Sequence, residues 1–265
     1  MLPKPDHLAP EFADQFADSS VVAAYHLRPP YPPQVIDHVL SLRTGSGAVL
    51  DAGTGTGEIA RALAQRGVLV DALDPSAAML ARGRQLPGGD DPLLTWIHGM
   101  AETAPLHPPY GLVVTAASLH WMDWEIVLPR FRDVLAPGGV LAIVEQRQTP
   151  QPWDDALREI IARSSTNRFY QPYGLVQELE ARGLFQSLGQ VQTALVPFTQ
   201  TVADYVESFH SRNGFSRDRM DPADAAAFDG ACDRLVRPFA QGGRITLGVT
   251  GLVVWGVPAP NAVTQ

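Results

Sequence analysis

The segment that most constrains this chain is VLDAGTGTGEIA at 49–60. A short apolar run, AVLDA at 48–52, meets glycines at 53, 55 and 57 and then EIARALAQRG at 58–67, where Ile59, Ala60, Leu63 and Ala64 recur at helical spacing. A strand that turns through glycine into a helix is the first half of a crossover, and crossovers join parallel strands. The pattern continues downstream. Strands are expected at 68–74, 93–99, 111–117 and 140–146, with helices over 75–86 and 124–139. Such alternation predicts an α/β fold, a parallel sheet with helices on both faces.

The rest of the chain is less regular. Residues 11–25 and 34–43 read as helices separated by the proline-rich turn HLRPPYPP at 26–33. Helices are expected over 153–165, 173–183, 201–210 and 222–239, and strands over 192–198 and 244–258. The expected division is an N-terminal helical arm at 1–44, a core of 45–200 and 240–258, and an inserted helical cap at 201–239.

Composition excludes several classes. With 45% hydrophobic and 18% charged residues, wholesale disorder is excluded. A net charge of -8 argues against nucleic acid bound through a broad basic face, so no nucleic-acid partner is expected. Cys232 is the sole cysteine, which removes internal disulfides and Cys-based zinc sites. His38, His98 and His107 lack metal-ligand spacing, so no metal is expected. The first 20 residues hold no apolar run. No stretch approaches the ~18 apolar residues of a membrane span. A cytoplasmic protein without membrane contact is expected.

The glycine loop suggests a ligand. Backbone N–H groups at a helix N-terminus carry partial positive charge, and glycine lets a ligand approach the main chain. The spacing is Gly-x-Gly-x-Gly, so the dinucleotide fingerprint is not met. Asp51, two residues before Gly53, has two readings: it bonds the loop's own N–H groups, or it receives a charged donor such as a ligand amino group. Asp74 ends the next strand. It either accepts both hydroxyls of a ribose or starts the helix after Pro75 and Ser76.

Several blocks together resemble class I S-adenosylmethionine-dependent methyltransferases of the small-molecule, type 11-like group. They are AAYHLRPPYPPQVID at 23–37, VLDAGTGTGEIA, VDALDPSAAMLARGR at 70–84, GMAETAPL at 99–106, YGLVVTAASLHWMDW at 110–124 and FRDVLAPGGVLAIVEQ at 131–146. The resemblance implies a Rossmann-like sheet of seven strands, the last antiparallel. It also implies S-adenosylmethionine as cofactor and S-adenosylhomocysteine as product. Asp51, Gly53, Thr54 and Gly55 match positions around the methionine part. Asp74 and Pro75 match the ribose side, and Ser76 and Met79 lie beside the adenine. Ala101 matches a position whose backbone meets the adenine edge. Met100 stands where the family often has an acid, so the adenine is expected to be met by backbone groups or by Glu102. Tyr25 and Arg28 match an arm that approaches the cofactor carboxylate.

Ala116 and the residues through Trp121 follow the fourth strand, where a doubly wound sheet binds ligands. His120 is the candidate catalytic base, and Trp121 offers an aromatic face to a cation. Trp153, Arg168, Tyr170, Tyr173, His210 and Arg212 are candidate substrate residues. The expected reaction is in-line methyl transfer to an oxygen, nitrogen or carboxylate oxygen of a small molecule. The alternatives are a nucleotide-cofactor oxidoreductase and a non-catalytic cofactor-binding protein of the same fold.

Overall fold

A computed structural model describes residues 4–169 and 173–259. The elements, in chain order, are α1 (Pro10–Ala13), α2 (Ser19–Ala24), α3 (Pro33–Ser41), β1 (Ala48–Ala52), α4 (Glu58–Ala64), β2 (Val70–Asp74) and α5 (Ala77–Gln85). Next come β3 (Leu94–His98), β4 (Tyr110–Ala116), α6 (Trp124–Val134), β5 (Leu135–Gln148), α7 (Asp154–Ser164) and α8 (Leu175–Ala181). The last are β6 (Phe185–Gln192), β7 (Val196–Thr201), α9 (Val202–Ser208), α10 (Pro222–Val236) and β8 (Arg244–Pro258).

Helix starts follow local chemistry. The Ser76 hydroxyl accepts the Met79 N–H at 3.2 Å to begin α5, and the Asp123 carboxylate accepts the Glu125 N–H at 3.1 Å to begin α6. Proline at the first position opens α3 and α10. The helix expected over 11–25 is instead broken into short α and 3-10 turns.

The strands run β3-β2-β1-β4-β5-β8-β6, and β7 pairs with the first half of β8. β1 through β5 pair in parallel, whereas β6 and β7 pair antiparallel to β8. The sheet is Rossmann-like and mostly parallel, with an antiparallel end. It has eight strands among the described residues rather than the expected seven. The extra strand is β6, whose sequence FQSLGQVQ is polar and mostly exposed, so it carries little hydrophobic signal.

The chain forms two compact units, whose boundaries differ from those expected. Among the described residues, one comprises 31–147, 173–194 and 250–259. Val49, Ile59, Leu63, Leu112, Val114 and Val253 fill its core. The other comprises 4–30, 148–169 and 195–249. Its core holds Trp153, Tyr205, Phe209, Phe215, Phe228 and Leu247. Segments 148–169 and 195–200, expected in the sheet core, therefore join the expected arm and cap, because their apolar side chains pack among the aromatics of α9 and α10.

Candidate functional site

The first unit concentrates its unusual chemistry at the C-terminal ends of β1, β2 and β4. Gly53, Gly55 and Gly57 all have positive φ, at 71°, 57° and 75°. Space decides as much as torsion. A Cβ on Gly53 would overlap the Cβ of Ser118, and one on Gly57 would overlap the Trp96 ring. Glycine at 53 and 57 thus admits neighbouring protein.

Four of the loop's amides are also spent. The N–H groups of Gly53 and Thr54 both donate to the Leu73 carbonyl at 2.8 and 2.9 Å. Gly57 N–H donates to the Thr54 carbonyl at 2.8 Å, and Gly55 N–H donates to Asp74 Oδ2 at 2.8 Å. An anion-binding cradle needs free amides, and these four are occupied.

What the loop leaves unsatisfied is negative. Asp51 is 1% exposed and accepts the Thr54 hydroxyl at 2.6 Å through Oδ2. Its Oδ1 is buried without a hydrogen bond. Burial pushes the Asp51 carboxyl up to about 6, opposed by the Thr54 hydroxyl and the Ala60 N–H. Asp74 is 7% exposed and accepts from Ser76 N–H at 2.8 Å as well as from Gly55. Burial raises it too, to about 6, against the two backbone donors. Ser76 rather than Asp74 caps α5, and each Asp74 oxygen keeps a lone pair for a further donor. The pair suits a ligand that brings a cation and hydroxyl donors.

The family model described as a methyltransferase domain matches residues 49–139. An uncharacterized methyltransferase of Mycobacterium tuberculosis is 37% identical over 147 residues, covering 54% of this chain and 58% of that one. A trans-aconitate 2-methyltransferase of Delftia acidovorans is 38% identical over 119 residues, covering 42% of each chain. A tRNA 5-carboxymethoxyuridine methyltransferase of Escherichia coli is 38% identical over 101 residues, covering 36% of this chain and 39% of that one. The chain thus spans about half the length of the curated relatives it matches. A solved methyltransferase-fold structure from Anaeromyxobacter dehalogenans shares the fold, with a TM-score of 0.60 at 22% identity over 88% of this chain and 97% of that one.

Residues 49–139 thus match a methyltransferase domain, on a fold shared with a solved methyltransferase. The tRNA-modifying relative means that a net charge of -8 does not by itself exclude an RNA partner, so that expectation is withdrawn. No helix among the described residues is long and apolar enough to cross a membrane. Nor does any group of three or more His, Cys, Asp and Glu side chains among them stand together as a metal site.

Other expected residues lie in the same unit as the loop. Pro75 offers its carbonyl to His98 Nε2 at 3.0 Å, and Met79 is buried in α5. Ala101 is buried, whereas Met100 is 52% exposed. Glu102 accepts the Asp123 N–H at 2.7 Å through Oε1, while its Oε2 is buried with no partner. Ala116 is partly exposed at the end of β4. His120 and Trp121 lie on a 3-10 turn with ring centroids 4.8 Å apart. Tyr173 is half-buried in the same unit, and Tyr170 lies outside the described residues.

Two neighbours were not singled out in the sequence. Ala117 sits at φ 50°, a left-handed conformation that costs a non-glycine residue about 1–2 kcal/mol. Strained residues of this kind cluster at ligand sites. Ser118 donates its hydroxyl to the Ala52 carbonyl at 2.7 Å, which ties the β4 loop to β1. Alanine followed by serine carries no pattern that marks either role.

The remaining expected residues lie in the second unit. Arg28 stacks 4.2 Å over the Tyr25 ring and donates Nε to Ser211 Oγ at 2.8 Å and Nη2 to the Ser211 carbonyl. Trp153 is buried and donates Nε1 to the Tyr205 hydroxyl at 3.1 Å. Arg168 is exposed and donates to the Ala162 and Arg163 carbonyls at the end of α7. His210 is 0% exposed, with Nδ1 at 2.7 Å from the Phe215 carbonyl and Nε2 at 2.7 Å from Asp229. Both ring nitrogens are engaged, which leaves none for a substrate. Arg212 is half-buried, 4.4 Å over the Phe209 ring.

Proposed function

We propose that this chain transfers a methyl group from S-adenosylmethionine to a small-molecule acceptor. The observation that carries the reading is the Asp51–Asp74 pair, in which Asp51 has a buried oxygen with no hydrogen bond among the described residues, beside a glycine loop whose Gly53, Thr54, Gly55 and Gly57 amides are taken. A pyrophosphate would meet two buried acids there, which disfavours the dinucleotide oxidoreductase. Asp51 would take the cofactor's amino group and Asp74 the ribose hydroxyls, each closing hydrogen bonds the free protein lacks. Glu102 Oε2 stands as the acceptor for an adenine amino group.

S-adenosylmethionine supplies a methyl group already made electrophilic by its sulfonium. The protein's part is then to align acceptor and methyl, catalysis by proximity and orientation. His120 would receive the proton when the acceptor is a hydroxyl or an amine. A carboxylate acceptor has no proton to lose, and His120 would then only position it. Two of the relatives above bear names with a carboxyl-containing molecule, trans-aconitate and carboxymethoxyuridine, which supports an acidic acceptor.

Calorimetry with S-adenosylmethionine, S-adenosylhomocysteine and NAD, without metal, tests the reading. Saturable heat with the first two and none with NAD is expected. Binding of NAD alone would overturn it. Binding without turnover over a panel of acids, alcohols and amines would favour the non-catalytic alternative.

A further inference from the structure

The second unit carries positive charge that nothing in it neutralises. Its segments 205–219 hold several acids and arginines in one small volume, and most of them pair. Arg217 bridges Glu207 and Asp229 at 2.6 and 2.8 Å, and Asp229 also meets His210. Arg219 binds Asp18 at 2.6 Å, and Asp218 accepts from Ser19 and Ser20. These pairings consume the local carboxylates.

Arg212 is left out. Among the described residues its guanidinium has no hydrogen bond and no acidic partner, although it is only half-exposed and lies 4.4 Å over the Phe209 ring. Five N–H donors are thus unused. Its electrostatic neighbours are Arg28, a like charge, and the Tyr205 phenol. Burial and then repulsion from Arg28 hold the Arg212 pKa down to about 10, so it remains charged at neutral pH.

Arg28 is held in place. Its guanidinium is tied to Ser211, the residue before Arg212, and lies on the Tyr25 ring. The fold secures this approach, since α2 packs on the 3-10 turn Phe209–Ser211, and the turn Tyr25–Leu27 packs on α9. Tyr205 accepts from Trp153, and its own O–H has no acceptor among the described residues. Two cations brought together without a counter-ion cost free energy that an anion recovers. The guanidinium fork matches a carboxylate in bidentate fashion, and the flanking Tyr25 and Phe209 rings suit an organic body rather than a bare ion.

We propose that Arg212, with Arg28 beside it, receives the carboxylate of a small organic acid. The carboxylate site stands independently of the methyl-transfer reading. S-adenosylhomocysteine also has a carboxylate, so the experiment separates the two sources.

Succinate and trans-aconitate are titrated by calorimetry, with and without saturating S-adenosylhomocysteine, into wild type, Arg212→Gln and Arg212→Lys. Wild type should bind an acid saturably. Arg212→Gln should bind it about 10- to 100-fold more weakly, the loss of charge-assisted hydrogen bonds. Arg212→Lys should fall between, since it keeps charge but loses the fork. Affinity for S-adenosylhomocysteine should stay within about threefold throughout, as expected for a residue that does not touch it.

Equal acid affinity in folded wild type and Arg212→Gln overturns the proposal, and so does the absence of acid binding to wild type. Should Arg212→Gln not fold, equal affinity in Arg212→Lys and wild type overturns it instead. Inorganic phosphate binding where the acids do not refutes the carboxylate assignment. Weakened S-adenosylhomocysteine with unchanged 5′-methylthioadenosine, which lacks the amino-acid group, would assign the carboxylate to the cofactor and overturn the organic-acid ligand. If wild type binds acids but no S-adenosylhomocysteine, the methyl-transfer reading fails while the carboxylate site stands.

Discussion

Replacing Asp51 with asparagine tests the electrostatic core of the site. Asp51 has a folded-state pKa of about 6 against an ordinary 3.8, with burial as the main cause. Because the folded value is raised, the stability this group contributes is full below about pH 3.8 and is lost as pH rises through about 6. At pH 7 its ionisation costs the free protein about 3 kcal/mol relative to the unfolded chain. The asparagine side chain cannot ionise, and its amide oxygen can still accept from the Thr54 hydroxyl. Urea unfolding of the cofactor-free protein should therefore show wild type losing more stability than Asp51→Asn between pH 4 and 7. Asp74 titrates over the same range, so the difference between the two curves isolates Asp51. Ligand binding should show the reverse preference. A cationic amino group favours the carboxylate form, so wild-type affinity for S-adenosylhomocysteine should rise about tenfold from pH 5 to pH 7 on account of this group. Asp51→Asn should lose about 10- to 100-fold in affinity at pH 7 along with that share of the pH dependence. Parallel stability curves for the two proteins, or an unchanged affinity, would refute the view that Asp51 is a buried charge awaiting a cation.

Two further outcomes are expected. Gly53→Ala should destabilise the protein by at least about 2 kcal/mol, since it combines a left-handed torsion with overlap against Ser118; a second change, Ser118→Gly, should recover only part of this in urea unfolding. His120→Ala should reduce turnover about 10²–10⁴-fold on a hydroxyl or amine acceptor with cofactor affinity unchanged, whereas on a carboxylate acceptor turnover should fall only a few-fold.

Local signals carried the reading of one unit and little of the other. The β1–loop–α4 segment and the strands through β5 follow from short apolar runs broken by glycine, and the structure has all of them. Their contents are local: a strand's burial and a loop's torsion sit in neighbouring residues. The pairing of the Gly53, Thr54 and Gly55 amides is not legible locally because their acceptors, the Leu73 carbonyl and Asp74, lie on the neighbouring strand. The demand for glycine at 57 comes from Trp96, far along the chain. Pairing among acids and arginines in 205–229 is likewise three-dimensional. Sequence gives His210 and Arg212 equal standing as polar residues in a helical region. The fold closes both nitrogens of one and leaves every donor of the other unused.

The two units hold uncompensated charge of opposite sign. In one, Asp51 and Asp74 are buried carboxylates with no cation hydrogen-bonded to them. In the other, Arg28 and Arg212 are neighbouring guanidiniums without an acidic partner among the described residues. A protein selected for stability alone has simple remedies, since an apolar side chain of similar size in place of an unpaired buried charge is often neutral or stabilising. Retaining the charge makes the free protein less stable and stores the difference for a ligand that supplies the missing partner. The stored energy also discriminates, because a molecule lacking the matching charge leaves the desolvated group unpaired. The acids select for a cation with hydroxyl donors and the arginines for a carboxylate. A ligand-induced rise in stability should therefore appear with S-adenosylhomocysteine and with organic acids separately. It should shrink in Asp51→Asn for the first and in Arg212→Gln for the second, without crossing over.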